Sequence, residues 1–142
     1  MNPARLGLLL FVLLTTLAAE AAVPPRTPEI IPGSTRVDAE ELIGLVERLP
    51  RLVIIDSRIR GDRKQGYLEG SLSLPDTETD CASLTHLVPD HARPVLFYCN
   101  GVKCGRSGHA VAIATACGYS NIYWFRGGFQ EWLAKGYPYL QE

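Results

Sequence analysis

The hydrophobic residues that follow position 38 first recur with the period of a helix. From Leu42 to Leu49 they return every three or four positions, as on one face of an amphipathic helix. Asp38 can accept hydrogen bonds from first-turn amides, and Glu41 three residues later completes a capping-box pattern. Proline disrupts a continuing helix. The pattern therefore predicts a helix that begins after Asp38 and ends before Pro50.

Short apolar runs then predict strands. Residues 52–55 (LVII) and 94–98 (PVLFY) are continuously apolar, which is typical of strands that are covered on both faces. Residues 71–74 and 121–125 (NIYWF) form two further short runs bounded by turn-forming residues. The sequence therefore predicts four strands along the chain.

Helical segments separate these strands. Residues 79–88 and 128–135 predict short helices, and the Ala-rich run 105–117 predicts a closely packed helix that Gly118 ends. Alternation of strands and helices predicts an α/β fold, in which a mainly parallel sheet has helices on both faces. Ligands of such folds bind beyond the carboxyl ends of the strands. The loops that begin at Asp56 and Cys99 are therefore the candidates for a functional site.

The first 21 residues have the layout of a secretory signal peptide. Arg5 precedes an apolar run over residues 6–17, and Ala19-Glu20-Ala21 supplies the small residues of a cleavage site. The run is shorter than the about 20 residues that span a bilayer, although an uncleaved anchor is the alternative. We therefore predict a signal peptide at 1–21, an extended Pro-rich lead-in at 22–34 and one domain at 35–140. Export, to the bacterial periplasm, would leave no stable membrane span after cleavage and would expose the thiols to an oxidising compartment.

Composition and charge narrow the classes of partner. The chain has 142 residues, of which 46% are hydrophobic and 20% charged, as in an ordinary globular protein. Its net charge of −1 lacks the basic excess of proteins that bind nucleic acid. Four cysteines are too few for a scaffold built on disulfides, so each one is considered separately.

The loop after Tyr98 carries the candidate chemistry. A cysteine between a buried strand and a helix lies near unpaired backbone amides and the positive end of a helix dipole, and both favour the nucleophilic thiolate. Glycines in the loop allow its amides to form an anion-binding nest, and Lys103 or Arg106 adds positive charge. A structural loop with a buried cysteine, or a disulfide between Cys99 and Cys104, is the alternative. We predict Cys99 as the catalytic nucleophile and the rest of the loop as substrate-binding residues: Asn100, Gly101, Val102, Lys103, Cys104, Gly105 and Arg106.

Several motifs follow one another around this loop. Asp56-Ser57-Arg58 follows the 52–55 strand, and residues 66–71 read GYLEGS. Residues 97–99 (FYC) enter the loop, 105–107 (GRS) leave it, and 126–132 read RGGFQEW. In this order the motifs resemble the Asp-x-Arg, Gly-His-Ile-Pro-Gly-Ala and Gly-Gly-Phe-x-x-Trp motifs of the rhodanese-like family of sulfurtransferases. The resemblance extends from about Val37 to Pro138.

The resemblance implies a fold and a reaction. The fold would be a three-layer α/β/α arrangement around a mainly parallel sheet of about five strands. Cys99 would take a sulfane sulfur from a donor such as thiosulfate and pass it to a thiophilic acceptor. The expected partners are a small sulfur-containing anion, a thiol acceptor and a periplasmic redox or sulfur-acceptor protein, with no cofactor and no metal.

The loop departs from the family pattern in two ways. Family members have an arginine five residues after the cysteine, where this chain has Cys104, and Arg106 follows only after two further residues. The longer loop could enlarge an anion pocket, but Cys-x6-Arg also differs from the Cys-x5-Arg of related phosphatases. Cys104 is either a resolving thiol or a small side chain that fills the loop. A thiol-disulfide or oxyanion-reducing enzyme that uses both cysteines therefore stays open, as does a non-enzymatic sulfur carrier.

The remaining candidates have structural interpretations. We predict that Cys117 is a buried, inert thiol, although pairing with Cys81 is open because four cysteines allow three pairings. His109 follows the loop and is expected to be solvated. Asp56 and Arg58 are expected to tie the strand end to its loop through charge-assisted hydrogen bonds.

Overall fold

The computed structural model describes residues 27–142. The signal peptide predicted at 1–21 and the beginning of the lead-in predicted at 22–34 lie outside these residues. No helix within 27–142 has the length and apolarity to cross a membrane. The strands are β1 (Ser34–Val37), β2 (Val53–Asp56), β3 (Leu72–Ser73), β4 (Val95–Tyr98) and β5 (Ile122–Phe125), and the α-helices are α1 (Ala39–Arg48), α2 (Cys81–Leu87), α3 (Arg106–Ala116) and α4 (Gly128–Ala134).

The five strands form one sheet in which every pair is parallel. Their order is β1-β5-β4-β2-β3, so the two apolar strands β2 and β4 lie next to each other in the interior. The predicted α/β fold with a mainly parallel sheet is therefore confirmed. Burial explains the continuous apolar runs, because every residue of β2 and β4 is buried.

The strand β1 was not predicted from the hydrophobic pattern. Only Val37 of its four residues is buried, because β1 is an edge strand that pairs with β5 alone. A 3-10 helix over Arg60–Gln65 was also missed inside the polar segment after β2. The predicted capping box is confirmed, since the Asp38 carboxylate accepts from the Glu41 amide at 2.8 Å and the Glu41 carboxylate accepts from the Asp38 amide at 2.8 Å.

Helices cover both faces of the sheet, and each face has its own apolar core. One core contains Phe97 and Trp124 and residues of α2 and α3, while the other contains Phe125 and residues of α1 and α4. All three aromatic side chains are fully buried. Burial of each such side chain contributes about 1.5–3 kcal/mol, so the two cores fix the sheet between its helices.

A disulfide joins Cys81, the first residue of α2, to Cys117, the C-cap of α3. The prediction of an inert free thiol at Cys117 is therefore wrong. The pairing was open in the sequence because the two residues are 36 positions apart and meet only when α2 packs against α3. Closing a loop of this length stabilises the folded state by about 4 kcal/mol in the chain-entropy model.

The register of β2 and β4 brings two loops together at one edge of the sheet. Asp56 is paired with Tyr98, and the Ser57 amide continues the ladder by donating to the Tyr98 carbonyl at 3.0 Å. The segment that begins at Ser57 therefore starts beside Cys99.

Candidate functional site

Cys99 lies at the carboxyl end of β4 and is almost completely buried, with 1% of its surface exposed. Seven residues later the chain enters α3 at Arg106. Within the loop, the Cys104 amide donates to the Gly101 carbonyl at 2.9 Å and so closes a turn. The amides of Gly101, Val102 and Lys103 have no hydrogen-bond acceptor within residues 27–142. They can therefore donate to a bound anion at the end of the strand.

Cys99 is joined to Cys104 in a disulfide, with their Cα atoms 6.2 Å apart. This pairing was one of the three that the sequence allowed. Cys104 is only half-buried, so the two cysteines of the bond differ in their exposure to solvent. A disulfide-bonded cysteine carries no thiolate, and the nucleophile exists only after the bond is reduced.

The start of the loop is anchored by α4. The Phe129 amide donates to the Cys99 carbonyl at 2.9 Å, and the Gln130 amide donates to the Asn100 carbonyl at 2.7 Å. The backbones approach so closely that a Cβ at Gly128 would lie 2.3 Å from the Cys99 oxygen, and Gly128 has a φ of +58°. This contact explains why a glycine stands at the beginning of α4.

The two glycines of the loop do not adopt a left-handed backbone. Neither Gly101 nor Gly105 has a positive φ, so their left-handed freedom is not what shapes the loop. A Cβ at Gly101 would lie 2.3 Å from the Gln130 side-chain oxygen, whereas a Cβ at Gly105 would meet nothing within 4 Å. A side chain at position 101 would therefore displace the end of the Gln130 side chain, and Gly105 is not constrained by space.

The lead-in packs on the loop, a contact that the sequence did not indicate. The Thr27 amide and hydroxyl both donate to the Val102 carbonyl, at 3.1 and 2.8 Å. The Arg126 guanidinium donates to the carbonyls of Thr27 and Pro28, each at 2.9 Å. These contacts hold the middle of the loop. They are polar and lie outside the apolar core, so the hydrophobic pattern of the sequence could not predict them.

The two basic residues of the loop lie in different environments. Lys103 is exposed, whereas the Arg106 guanidinium donates to the Asp76 carboxylate at 2.8 Å. His109 is exposed, as expected, and also contacts Asp76 at 3.3 Å. Burial opposes ionisation of Asp76, but its hydrogen bonds to Arg106 and His109 prevail and lower the pKa of this carboxyl. The charge of Arg106 is therefore partly compensated by Asp76.

Beneath the loop, Asp56 and Arg58 form a fully buried ion pair. Arg58 donates to the two carboxylate oxygens of Asp56 at 2.8 and 2.7 Å and to the Gly66 carbonyl at 2.9 Å. Tyr98 also donates to Asp56, at 2.8 Å, and Arg58 lies 4.6 Å from the ring centroid of Phe129. Burial lowers the pKa of Arg58, but the contacts with Asp56 outweigh it, and the net effect raises the pKa. The predicted tie between strand end and loop is confirmed.

Ser57 is the functional candidate that sequence reasoning passed over as the variable position of a motif. Its hydroxyl is fully buried, and within the described part of the chain it has no hydrogen-bond partner. Ile55 and Phe97 lie in the same core, and side chains two positions further on point to the same face of a sheet. The backbones of Ser57 and Cys99 therefore follow neighbouring strand ends, since the Ser57 amide donates to the Tyr98 carbonyl. A buried hydroxyl without a hydrogen bond lowers the stability of the fold, unless a ligand or a charged group accepts a hydrogen bond from it.

The comparisons with known proteins agree on one protein family. The chain matches the rhodanese-like domain over residues 38–135. It is 27% identical over 109 residues to a thiosulfate:glutathione sulfurtransferase of Saccharomyces cerevisiae, covering 70% of this chain and 76% of that one. Its fold resembles a protein of Bacillus halodurans, with a TM-score of 0.68, 17% identity and coverage of 76% and 77% of the two chains. It also resembles a rhodanese-like domain of Anabaena sp., with a TM-score of 0.65, 22% identity and coverage of 77% and 80%. The protein belongs to the rhodanese-like family, a family of sulfurtransferases.

Proposed function

We propose that the protein is a sulfurtransferase of the thiosulfate type that carries sulfur as a persulfide on Cys99. The observation that carries this proposal is the position of Cys99, buried at the end of β4 and at the start of the loop that leads into α3. The dipoles of loop amides and of a following helix stabilise a negative charge on sulfur, whether thiolate or persulfide. The relative from yeast, whose name specifies thiosulfate and glutathione, supports a sulfane donor and a thiol acceptor.

The reaction has two displacement steps once the disulfide is reduced. The Cys99 thiolate attacks the sulfane sulfur of thiosulfate, a new S–S bond forms, and sulfite leaves with the electron pair of the broken bond. An acceptor thiolate then attacks the outer sulfur of the persulfide, and Cys99 leaves as a thiolate. The loop amides and the Ser57 hydroxyl would donate to the sulfur that bears the charge in each step.

Transfer to this site is tested by weighing the intact protein after reduction, removal of the reductant and incubation with thiosulfate. We expect Cys104→Ser to gain one sulfur atom and Cys99→Ser to gain none. Cys104→Ser is the matched control, because it removes the other sulfur of the same loop and leaves Cys99 free. Reduced Cys104→Ser that takes no sulfur from thiosulfate or from any other sulfane donor would refute the proposal.

A phosphatase is disfavoured by the same geometry. Its arginine would have to hold the tetrahedral anion, whereas the Arg106 guanidinium is engaged by Asp76 at 2.8 Å. We expect no hydrolysis of an aryl phosphate by the reduced protein.

We also propose export to an oxidising compartment, with a periplasmic thiol protein as the acceptor. The support is that all four cysteines are paired, as is usual for exported proteins and rare in the cytosol. Expression of the full chain, followed by cell fractionation and N-terminal sequencing, tests this. We expect a periplasmic protein that begins after Ala21, and an intact leader in the cytosol would contradict it.

A further inference from the structure

The two cysteines of the loop disulfide differ in their exposure to solvent. Cys99 is 1% exposed, while Cys104 is half-buried and follows Lys103, which is exposed. An external thiol must reach a sulfur along the axis of the S–S bond, and the accessible sulfur is attacked first. The exposed side of this bond is therefore the side of Cys104.

The two halves of the loop are also held differently. The carbonyls of Cys99 and Asn100 accept hydrogen bonds from α4, which fixes the buried half. Cys104 is held by one backbone hydrogen bond to Gly101, and a Cβ at the next residue, Gly105, would meet no atom within 4 Å. Cys99 is therefore tied to another helix, whereas the backbone hydrogen bond of Cys104 stays within the loop.

From this asymmetry we infer that Cys104 is a resolving thiol and that the protein releases sulfide. The inference rests on the proposed persulfide function. The Cys104 thiolate attacks Sγ of the Cys99 persulfide, the bond to the outer sulfur breaks, hydrosulfide leaves with the electron pair, and the Cys99–Cys104 disulfide forms. The fold supports this step because the Cα atoms of the two cysteines lie 6.2 Å apart, within the range that a disulfide spans.

The disulfide is then reopened by two equivalents of an external thiol. The first thiolate attacks Sγ of Cys104, a mixed disulfide forms there, and Cys99 leaves as a thiolate near the beginning of α3, where the helix dipole stabilises it. The second thiol displaces Cys104 and forms an external disulfide. Over one cycle with thiosulfate, two thiols are oxidised to a disulfide, and sulfite and sulfide are released. The partner is therefore a dithiol protein or a small thiol that serves as reductant.

Single turnover without reductant tests the resolving step. The reduced protein is treated with thiosulfate, and released sulfide, remaining thiols and intact mass are measured together. We expect the unmodified protein to release sulfide in an amount equal to its persulfide and to lose the Cys99 and Cys104 thiols. In Cys104→Ser we expect the release to be lost and the persulfide to persist. The double variant Cys81→Ala with Cys117→Ala is the matched control and should release sulfide as the unmodified protein does.

The outcomes separate this inference from the proposed function. If Cys104→Ser forms no persulfide, the proposed function fails. If Cys104→Ser forms it and the unmodified protein also keeps it without releasing sulfide, only the resolving role is overturned. A second measurement tests the point of attack: the oxidised protein is treated briefly with a small external thiol, and the thiol that is set free is trapped by alkylation. We expect the external thiol on Cys104 and the alkyl group on Cys99, and the reverse pattern would overturn the assignment of Cys104 as the contact for external thiols.

Discussion

Replacement of Arg58 by methionine tests how the buried ion pair supports the site. Arg58 is 2% exposed and donates to both oxygens of Asp56 and to the Gly66 carbonyl. Methionine keeps much of the apolar contact with Phe129 but leaves a buried carboxylate without its closest cation. Removal of one partner from a buried pair costs about 3–5 kcal/mol. We therefore expect the free energy of unfolding to fall by this amount, measured by urea unfolding followed by circular dichroism with both disulfides intact.

A surface ion pair provides the control. Arg60 contacts Glu78, and about half of each side chain is exposed, so Arg60→Met should change the stability by less than about 1 kcal/mol. The double variant Asp56→Asn with Arg58→Met should lose less stability than the sum of the two single variants, because the two groups are coupled. If Arg58→Met costs no more than Arg60→Met, the argument that this buried pair holds the strand end to the loop is refuted.

Three further predictions concern the same edge of the sheet. Burial and a neighbouring carboxylate raise the pKa of Tyr98 above its ordinary 10.0, so its phenol stays neutral in the folded state at pH values where the unfolded chain ionises. The difference in free energy of unfolding between the unmodified protein and Tyr98→Phe should be constant below pH 10. Above pH 10 the unmodified protein should lose about 1.4 kcal/mol per pH unit relative to the variant. A constant difference in urea unfolding at alkaline pH would contradict this. Ser57→Ala tests the proposed donation from this hydroxyl to the Cys99 thiolate. It should slow alkylation of reduced Cys99 by about tenfold at neutral pH without lowering stability, since the hydroxyl makes no existing hydrogen bond. An unchanged alkylation rate would show that the hydroxyl does not act on sulfur. Gly128→Ala should lower the free energy of unfolding by about 2 kcal/mol or more, because Gly128 has a φ of +58° and the added Cβ would overlap the Cys99 carbonyl. Gly70→Ala is the control and should cost less, because Gly70 has a φ of +76° but open space around it. Equal losses of stability in thermal unfolding would contradict the role of the close contact.

The sequence predicted most of the elements because their signals are local. The helix α1 was located from its capping box and apolar period, and β2 and β4 from runs that are buried along their whole length. The edge strand β1 was missed because one buried residue in four gives no periodic signal. Strand pairing with β5 creates that element, and pairing is a property of the whole sheet.

Of the site, the sequence by itself determined the nucleophile candidate and the family. Cys99 stands out because a buried strand, glycines and a helix surround it in the chain, and the ordered motifs are properties of the sequence alone. Tertiary structure decided what acts on that sulfur. The Cys99–Cys104 and Cys81–Cys117 pairings, the unpaired Ser57 hydroxyl and the contact of Thr27 with the loop all arise where segments meet. These features could not be predicted for one physical reason. Each depends on the distance between groups that the packed sheet brings together, and local sequence propensity carries no information about that distance.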